Sequence, residues 1–326
     1  MVDIDCFSVP GIFTTLFVAQ PVPFVPSVPA EYVFWVKRPS LRDPELEALI
    51  DSKWQAQIET KKRELEARGV QDIAIRPDER GLPALYEGER KIMFDGTIFR
   101  VSDVCPAFDG TEAVCIDVEE GRFSTINLSR DPEFRALSEK KSGEIRNDAL
   151  GSSELLVTKD GYIVLTNRGE RPNTYKNQMY MPGGRPSTVA ESPLEHQLGE
   201  NAEELGLTSE DYLRGTKHCF YGIVADEQLN RNRELMFKVE LSLTADEVQK
   251  RYDALPKKPI DVASLEFLSA DADSILGRLL NDALCPRNKP GIVIPPTLGL
   301  LTHYGFHSYG QMWLEELDIK VKEGDF

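Results

Sequence analysis

The chain has 326 residues, which is enough for two modest domains or one large one. Its 41% hydrophobic and 28% charged residues are typical of a globular protein with an apolar core. The formal net charge of −16 argues against a nucleic-acid partner, because no basic surface meets the phosphate backbone. An anionic substrate would need a cation or local arginines.

The cysteines and the N-terminus bear on the compartment. The five cysteines, at positions 6, 105, 115, 219 and 285, are odd in number, scattered, and without a Cys-x-x-Cys pair. This pattern favours free thiols in a reducing compartment over a disulfide framework or a zinc site. The apolar residues 11–19 follow no basic region and are too few to span a bilayer. We therefore expect a cytoplasmic protein without a membrane partner.

Residues 1–147 predict an N-terminal α+β domain. Prolines interrupt residues 7–36, which favours short edge strands. A helix is expected at about residues 44–68, because apolar residues recur at helical spacing between Asp43 and Gly69. Turn signals then separate short predicted strands at residues 84–86, 91–94, 97–102, 113–118 and 123–126. The polar, helix-prone residues 130–147 are interpreted as a link to the second part.

Residues 148–326 predict an α/β domain with a mixed sheet and helices on both faces, an α/β/α sandwich. The domain begins with a hairpin that turns at Asp160-Gly161. Further strands are expected at residues 218–224, 234–243 and 265–268. Helices are expected at residues 193–205, 245–252, 272–284 and 297–303.

The helix predicted at residues 193–205 has clear start and stop signals. Ser192 is a favourable N-cap, and Pro193 suits the first helical position because proline lacks the N–H group that would be unpaired there. Glu195 completes a Ser-x-x-Glu capping box. Gly206 suits the helix end.

Two sides of this helix differ in chemistry. One side is apolar, and its residues are Leu194, Leu198, Ala202 and Leu205. The other side carries Glu200, Glu203 and Glu204, which repel one another by roughly 0.2–0.5 kcal/mol per pair when unaccompanied. A hard divalent cation such as Mg²⁺ would turn this repulsion into ligation, because it takes oxygen ligands from carboxylates and substrate phosphates. The alternative interpretation is an acidic helix face that is only solvated.

Residues 181–207 resemble the box of the Nudix hydrolases, G-x5-E-x7-R-E-U-x-E-E-x-G-U, where U is a bulky aliphatic residue. The spacing matches from Glu191 onward, through Glu200, Glu203, Glu204 and Gly206. The resemblance implies an α/β/α sandwich in which the three glutamates bind the metal. It also implies Mg²⁺ as the cofactor, with Mn²⁺ as the second candidate.

Three positions depart from the family pattern. Gly199 stands where the family has arginine, and Asn201 stands where it has an aliphatic residue. Gly184 lies one residue too far from Glu191. Because the family's arginine orients the acidic cluster, either another cation does so here or the site is tuned differently.

Other segments resemble one branch of the family. Pro182-Gly-Gly-Arg-Pro186 introduces the box, Tyr221-Gly222-Ile223 follows it, and residues 94–100 precede it. These segments resemble an atypical eukaryotic branch that includes the UDP-glucose diphosphatase type and its plant relatives. The resemblance implies a hydrolase that cleaves the pyrophosphate of a nucleoside diphosphate linked to another moiety. A UDP-sugar, giving UMP and sugar 1-phosphate, is the first substrate expected.

The expected chemistry assigns roles to particular residues. A bound metal would lower the pKa of the attacking water. Glu204 or Glu191 would take the proton of that water, and His196 is an alternative base. A single arginine can bind two phosphate oxygens at once through its guanidinium group. The candidates for this role in the loops are Arg168, Arg171, Arg231 and Arg233.

The segment before the helix adds further candidates for substrate binding. Gly183 and Gly184 would let the backbone turn tightly beside the phosphates. Tyr180 either stacks on a base or covers the core.

Two alternative functions stay open. The first is a catalytically weak Nudix-fold module that binds a nucleotide or a protein, as Gly199 suggests. The second is a Nudix hydrolase that acts on ADP-ribose or a dinucleotide cofactor. Products formed from a panel of these compounds with Mg²⁺ would separate the hypotheses.

Overall fold

The computed structural model of the chain describes residues 8–9, 13–18, 28–38, 43–106, 113–128, 131–142, 149–169, 175–186, 192–226, 232–259, 261–283 and 289–323. The chain forms two compact units. The larger comprises Met1–Val36, Asp103–Asp117 and Leu150–Phe326, and the smaller comprises Lys37–Ser102 and Val118–Ala149. The domain division between residues 147 and 148 stays a prediction.

The smaller unit is built on a long helix, α1 (Pro44–Ala67). The Asp43 side chain caps it by accepting the backbone N–H groups of Glu45 and Leu46. Buried Trp54 of this helix packs with Leu85 of an antiparallel sheet. The sheet has the order β5-β6-β7, and its strands are β5 (Ile73–Pro77), β6 (Pro83–Glu87) and β7 (Arg90–Met93). The helix prediction is confirmed, and β5 had not been predicted.

Residues 123–126 form part of a helix, so the strand predicted there is wrong. α2 (Phe123–Leu128) follows β9 (Val114–Arg122) directly, and α3 (Pro132–Ser142) comes after it. The Ser124 N–H donates to Asp95 Oδ1 at 2.7 Å, and Ser124 Oγ donates to Asp95 Oδ2 at 2.8 Å. This buried carboxylate, distant in sequence, satisfies donors of the first helical turn.

The largest sheet has nine strands and mixed pairing. Its main path is β1-β2-β13-β14-β10-β11-β12, while β15 pairs with β11 and β3 pairs with β13. Only the β10–β14 pairing is parallel among the pairs of this sheet described here. Its strands are β1 (Ser8–Val9), β2 (Phe13–Val18), β3 (Val28–Pro29), β10 (Leu150–Val157), β11 (Tyr162–Arg168), β12 (Met179–Tyr180), β13 (Cys219–Asp226), β14 (Asn232–Glu240) and β15 (Val262–Ser269). A separate three-stranded sheet has the order β4-β9-β8, with β4 (Val33–Arg38) and β8 (Thr97–Pro106).

Helices cover both faces of the nine-stranded sheet. They are α4 (Pro193–Leu205), α5 (Ala245–Asp253), α6 (Ala272–Ala283), α7 (Pro295–Tyr309) and α8 (Gln311–Glu323). Adjacent residues of β10 point to opposite faces, as the pleat requires. Leu155 joins a core cluster with residues of α6, α7 and α8, whereas Leu156 joins one with Leu205 of α4 and Val248 of α5. The predicted mixed sheet and α/β/α sandwich are confirmed.

The element boundaries agree closely with the sequence in this unit. The hairpin at Asp160-Gly161 is confirmed, with Val157 opposite Ile163. The closing helix is longer than predicted, and α8 had not been predicted. Cys115 and Cys219 are free thiols. Among the described residues, no helix is both long and apolar enough to cross a membrane.

Candidate active site

The helix α4 begins and ends where its capping residues predict. Ser192 Oγ accepts the backbone N–H of Glu195 at 3.1 Å, and Gly206 ends the helix in the left-handed region with φ of 72°. The buried side of the helix is largely polar. Apart from Pro193 and Leu205, its buried residues are Gln197, Asn201 and Glu204.

The apolar side expected for α4 is therefore only partly the buried side. Leu205 is fully buried, but Leu194 and Leu198 are half-buried and Ala202 is exposed. The physical reason lies in the strand beneath, because β10 presents the buried polar residues Ser152 and Glu154. Buried polar groups need hydrogen-bond partners, and α4 supplies them.

A glycine loop, residues 181–186, lies along the first half of β10. The Glu154 N–H donates to the Pro182 carbonyl at 2.9 Å, and the Ser152 N–H donates to the Gly184 carbonyl at 2.8 Å. Gly183 has φ of 153°, and a Cβ placed there would lie 2.0 Å from the Ser152 carbonyl oxygen. Only glycine fits at this close approach of two backbones.

Glu204 is fixed against this loop. Its Oε1 accepts the Tyr180 hydroxyl at 2.8 Å, and its Oε2 accepts the Gly183 N–H at 3.1 Å. Burial raises the pKa of Glu204 to about 8, although both hydrogen bonds oppose this shift. The carboxyl of Glu200 adds to the increase by charge repulsion.

Glu200 lies one helical turn before Glu204 and faces the same loop. A Cβ at Gly184 would lie 2.4 Å from the Glu200 carboxyl carbon, so a larger residue there would displace this carboxyl. Burial and, to a lesser extent, the charges of Glu203 and Asp261 raise the pKa of Glu200 to about 7. Glu203 itself is exposed.

His196 lies beside Glu200, with its Nδ1 3.7 Å from Glu200 Oε1. Its side chain is 8% exposed, and burial lowers its pKa. His196 is therefore neutral at pH 7 and can accept a proton only weakly. Its Nε2 is buried without a hydrogen-bond partner among the described atoms.

The predicted substrate-binding residues fall into two groups. Arg168, Tyr180, Gly183, Gly184 and Arg233 are described, whereas Arg171, Arg231 and the catalytic candidate Glu191 lie outside the described residues. The Arg168 guanidinium lies over the Tyr180 ring, 5.0 Å from its centre, and its Nε is buried without a hydrogen bond among the described atoms. Arg233 lies on β14, opposite Ala225 of β13 and Leu150 of β10.

The hydroxyl of Tyr180 is hydrogen-bonded, and its ring is buried. It is 4% exposed and packs with Tyr252 and Ile294. Of the two roles left open for it, this packing corresponds to covering the core.

A second group of charged residues was missed by sequence reasoning. Burial raises the pKa of Glu234 to about 7, Ser153 Oγ donates to its Oε1 at 2.7 Å, and the nearby charge of Arg185 opposes the shift. The buried carboxylate Asp226, which accepts the Tyr175 hydroxyl at 2.5 Å, adds its charge.

One sequence signal could have indicated this group. Arg185 belongs to the Pro-Gly-Gly-Arg-Pro segment that the box resemblance had already identified. No signal indicated Glu234, because its proximity to the loop depends on the parallel pairing of Glu234 with Gly151. A Cβ at Gly151 would lie 2.1 Å from Glu234 Oε2.

The carboxylates beside the glycine loop are the candidate ligands of a divalent metal. Within the described ranges, no group of three or more His, Cys, Asp and Glu side chains is placed to hold a metal ion. Glu200 and Glu204 nevertheless fit a hard cation as a pair, because they are neighbouring oxygen donors whose mutual repulsion a cation would relieve. Each carboxylate oxygen of Glu204 keeps a second lone pair beside its hydrogen bond. The three-glutamate ligand set stays a prediction.

The positions that depart from the family pattern have different surroundings. Gly199 is exposed, and a Cβ placed there would meet nothing within 4 Å. Asn201 is fully buried and hydrogen-bonded. The Cβ of a longer side chain at position 199 would therefore contact no other residue. The side chain at position 201, in contrast, is buried and hydrogen-bonded.

The chain was compared with protein families, curated proteins and solved structures. No protein-family model matches the chain, and no curated protein matches it. Solved structures similar to it include a MutT protein from Methanosarcina mazei Go1, with a TM-score of 0.33 and 15% identity over 49% of this chain and 94% of that one.

Two further solved structures are also similar to the chain. A NUDIX hydrolase from Nitrosomonas europaea has a TM-score of 0.23 and 16% identity over 37% of this chain and 71% of its own. A bifunctional NMN adenylyltransferase/ADP ribose pyrophosphatase from Francisella tularensis has a TM-score of 0.30 and 15% identity over 57% of this chain and 45% of its own. TM-scores this low establish neither a family nor an activity.

Proposed function

We propose that this chain is a metal-dependent hydrolase of the Nudix type. It cleaves the pyrophosphate of a nucleoside diphosphate linked to another moiety. One observation carries the proposal: buried Glu204 and half-buried Glu200, two carboxyls one helical turn apart, both lie against the Gly183–Gly184 loop and both have raised pKa values. Perturbed pKa values of neighbouring carboxyls are typical of functional sites.

Glu200 and Glu204 would hold Mg²⁺ or Mn²⁺, with Glu203 as the third candidate ligand. When bound, the ion polarises the phosphoryl group and lowers the pKa of a water. Two carboxylates with substrate phosphates are a usual ligand set for Mg²⁺.

The chain's own residues position the reacting groups. The Tyr180 hydroxyl and the Gly183 N–H fix both oxygens of Glu204, so its carboxylate cannot rotate freely. Glu204 or Glu191 takes the proton of the attacking water. Arg168, with an unpartnered Nε among the described atoms, offers a guanidinium to a phosphate oxygen. Arg185, Arg233, Arg171 and Arg231 are further candidates for the same role.

The first substrate class is a UDP-sugar, giving UMP and sugar 1-phosphate. ADP-ribose and dinucleotide cofactors are the alternatives within the same reaction. The proposal places the protein in the cytoplasm.

A binding module is the second candidate function. It is favoured by Gly199, which stands where the Nudix pattern has the arginine that orients the acidic cluster. Such a module would bind a nucleotide and release it unchanged.

The experiment is product analysis with Mg²⁺ or Mn²⁺ against UDP-glucose, ADP-ribose and NADH. We expect turnover of at least one compound, with cleavage between the two phosphorus atoms. Glu200→Gln and Glu204→Gln should each lower kcat by about 100-fold or more, because each removes a charged metal ligand. Nucleotide binding without turnover in the wild type would support the module instead.

Glu195→Gln is the matched control. Glu195 is exposed on the same helix, and its backbone N–H, not its side chain, makes the capping hydrogen bond to Ser192. The same chemical change should therefore leave kcat unchanged. A loss of activity equal to that of Glu204→Gln would contradict the assignment of the site.

A further inference from the structure

A chain of buried hydrogen bonds ties α4 to the sheet directly behind its carboxylates. Ser152 Oγ bonds Gln197 Oε1 at 2.7 Å, and Gln197 Nε2 donates to Asn201 Oδ1 at 3.1 Å. Asn201 Nδ2 then donates to Glu154 Oε2 at 2.6 Å. The other oxygen of Glu154 pairs with His218 Nδ1 at 2.7 Å. We call these five side chains, Ser152, Gln197, Asn201, Glu154 and His218, the anchor network.

Four members of the anchor network are fully buried and His218 is half-buried, so the hydrogen bonds of the network are directional constraints. Ser152, Gln197, Asn201 and Glu154 are each 0% exposed. A buried carboxylate is costly unless it is paired and hydrogen-bonded, and Glu154 uses both its oxygens in this way. Because a carboxylate only accepts, the paired Nδ1 of His218 carries a proton. Tyr212 lies edge-on to the His218 ring, with centres 4.7 Å apart, and its hydroxyl accepts a further Asn201 bond at 3.2 Å.

The same network holds the glycine loop. Gln197 Nε2 also donates to the Pro182 carbonyl at 3.1 Å, and the Glu154 N–H donates to the same carbonyl. The loop and the helix are therefore fixed to one strand by shared partners. Asn201 follows Glu200 and precedes Glu204 by three residues, so any rotation of α4 about its axis moves both carboxyls relative to the loop.

The geometry points to Asn201, Glu154 and His218 as positioning residues that set the orientation of the α4 carboxylates for the proposed hydrolysis. This inference rests on the proposed function and deepens it. Glu154 bonds the glycine loop only through its backbone N–H, and the side chains of Asn201 and His218 both bond the Glu154 carboxylate. Their effect passes through the helix. Supporting groups behind a metal site are worth about 10–100-fold in metal affinity or activity.

The experiment measures steady-state kinetics and Mn²⁺ affinity, the latter by electron paramagnetic resonance of the free ion. Asn201→Leu keeps the branched shape of the side chain but replaces the amide with two methyl groups. We expect kcat to fall about 10–100-fold and the Kd for Mn²⁺ to rise by a similar factor. KM for the nucleotide should change little, because the candidate arginines do not lie on α4.

His218 provides a second pair of variants, which change the partner of the other Glu154 oxygen. His218→Leu should lower kcat, while His218→Asn should restore most of it, because the Asn Nδ2 stands close to the position of Nδ1. Rescue by the conservative variant would not follow from a role in packing alone.

Val248→Ala is the control for stability. Val248 of α5 is fully buried in the same helical layer, in an apolar cluster with Leu205 and Val239, and its side chain cannot join the hydrogen bonds of the anchor network. This variant should lower the melting temperature and leave kcat and the Mn²⁺ affinity unchanged. If it lowers kcat as much as Asn201→Leu does, the network only stabilises the fold and the inference is overturned.

The outcomes separate this inference from the proposed function. An active wild type whose Asn201 and His218 variants keep kcat and Mn²⁺ affinity overturns the positioning role alone. A wild type that neither turns over nucleotide nor binds Mn²⁺ overturns the proposed function, and the positioning role with it.

Discussion

The two faces of the nine-stranded sheet are packed by different chemistry. On one face, α7 is buried at every residue from 295 to 305, and its leucines belong to the largest apolar cluster. On the other face, α4 buries Gln197, Asn201 and Glu204 against a strand that presents serine and glutamate. The two helices have similar lengths and the same sheet beneath them.

This difference indicates that one face of the sheet mainly stabilises the fold, while the other face orients the residues of the candidate site. Apolar burial is non-directional and stabilises in proportion to the area removed from water, so the α7 face can supply most of the stability. A buried hydrogen bond contributes only about 0.5–1.5 kcal/mol net, but it fixes distance and angle. The α4 face therefore contributes orientation to the carboxylates more than stability to the unit.

The largest expected effect tests the apolar face. Leu301→Ala, at a fully buried position on α7, should lower the free energy of unfolding by about 2–5 kcal/mol, because it leaves a cavity in the core. Urea unfolding measures the loss. Activity per folded molecule should stay unchanged, and a kcat that falls with stability would mean that the two faces are not separable.

The second test compares neighbouring glycines on the polar face. Gly184→Ala should lower kcat by about 100-fold (~2.7 kcal/mol in activation free energy) with a smaller effect on stability, because its Cβ displaces the flexible Glu200 side chain. Gly183→Ala should instead destabilise the unit, since its Cβ meets the Ser152 backbone at a positive φ. Kinetics and thermal melting of both variants check the pair. Equal effects of the two on stability would contradict the distinction.

The third test uses pH on the charged group next to Gly151. Burial raises the pKa of Glu234 from 4.5 to about 7, so the native state holds its proton after the unfolded chain has released it. The contribution of Glu234 to the free energy of unfolding is fully present below pH 4.5 and is lost as the pH rises through about 7. Arg185, Arg168 and Asp226 are the charges that face it.

Glu234→Gln cannot ionise, so its stability should fall less than that of the wild type between pH 5 and pH 8, by about 1–3 kcal/mol. Urea unfolding in the presence of a chelator measures the difference at the two pH values. A variant with the same pH dependence as the wild type would show that Glu234 titrates normally.

The smallest expected effect concerns the end of α4. Ser192→Ala removes the side-chain acceptor for the Glu195 N–H and should cost about 1 kcal/mol of unfolding free energy. Calorimetric melting checks this value, with Glu195→Gln as the comparison. The cap acts only on the first turn of α4, whereas the anchor network joins α4 to the sheet. The change in kcat should therefore be much smaller than in Asn201→Leu.

The sequence by itself determined the elements whose causes are local. Ser192 and Gly206 define α4, Asp43 defines the start of α1, and Asp160-Gly161 defines the hairpin, because capping and turn groups act within a few residues. The sequence also gave the spacing that brings Glu200 and Glu204 to one side of a helix.

Only the tertiary structure decided the surroundings of those residues. The helical form of residues 123–126 depends on Asp95, and the polar burial of α4 depends on Ser152 and Glu154 of a distant strand. Glu234 lies near the loop because β10 and β14 pair in parallel, and parallel strands can be far apart in sequence. Hydrogen bonds between groups that are remote in the chain produce no periodic pattern in the sequence. Hydropathy alone therefore assigned Leu198 and Ala202 to the interior, whereas the structure buries Gln197 and Asn201.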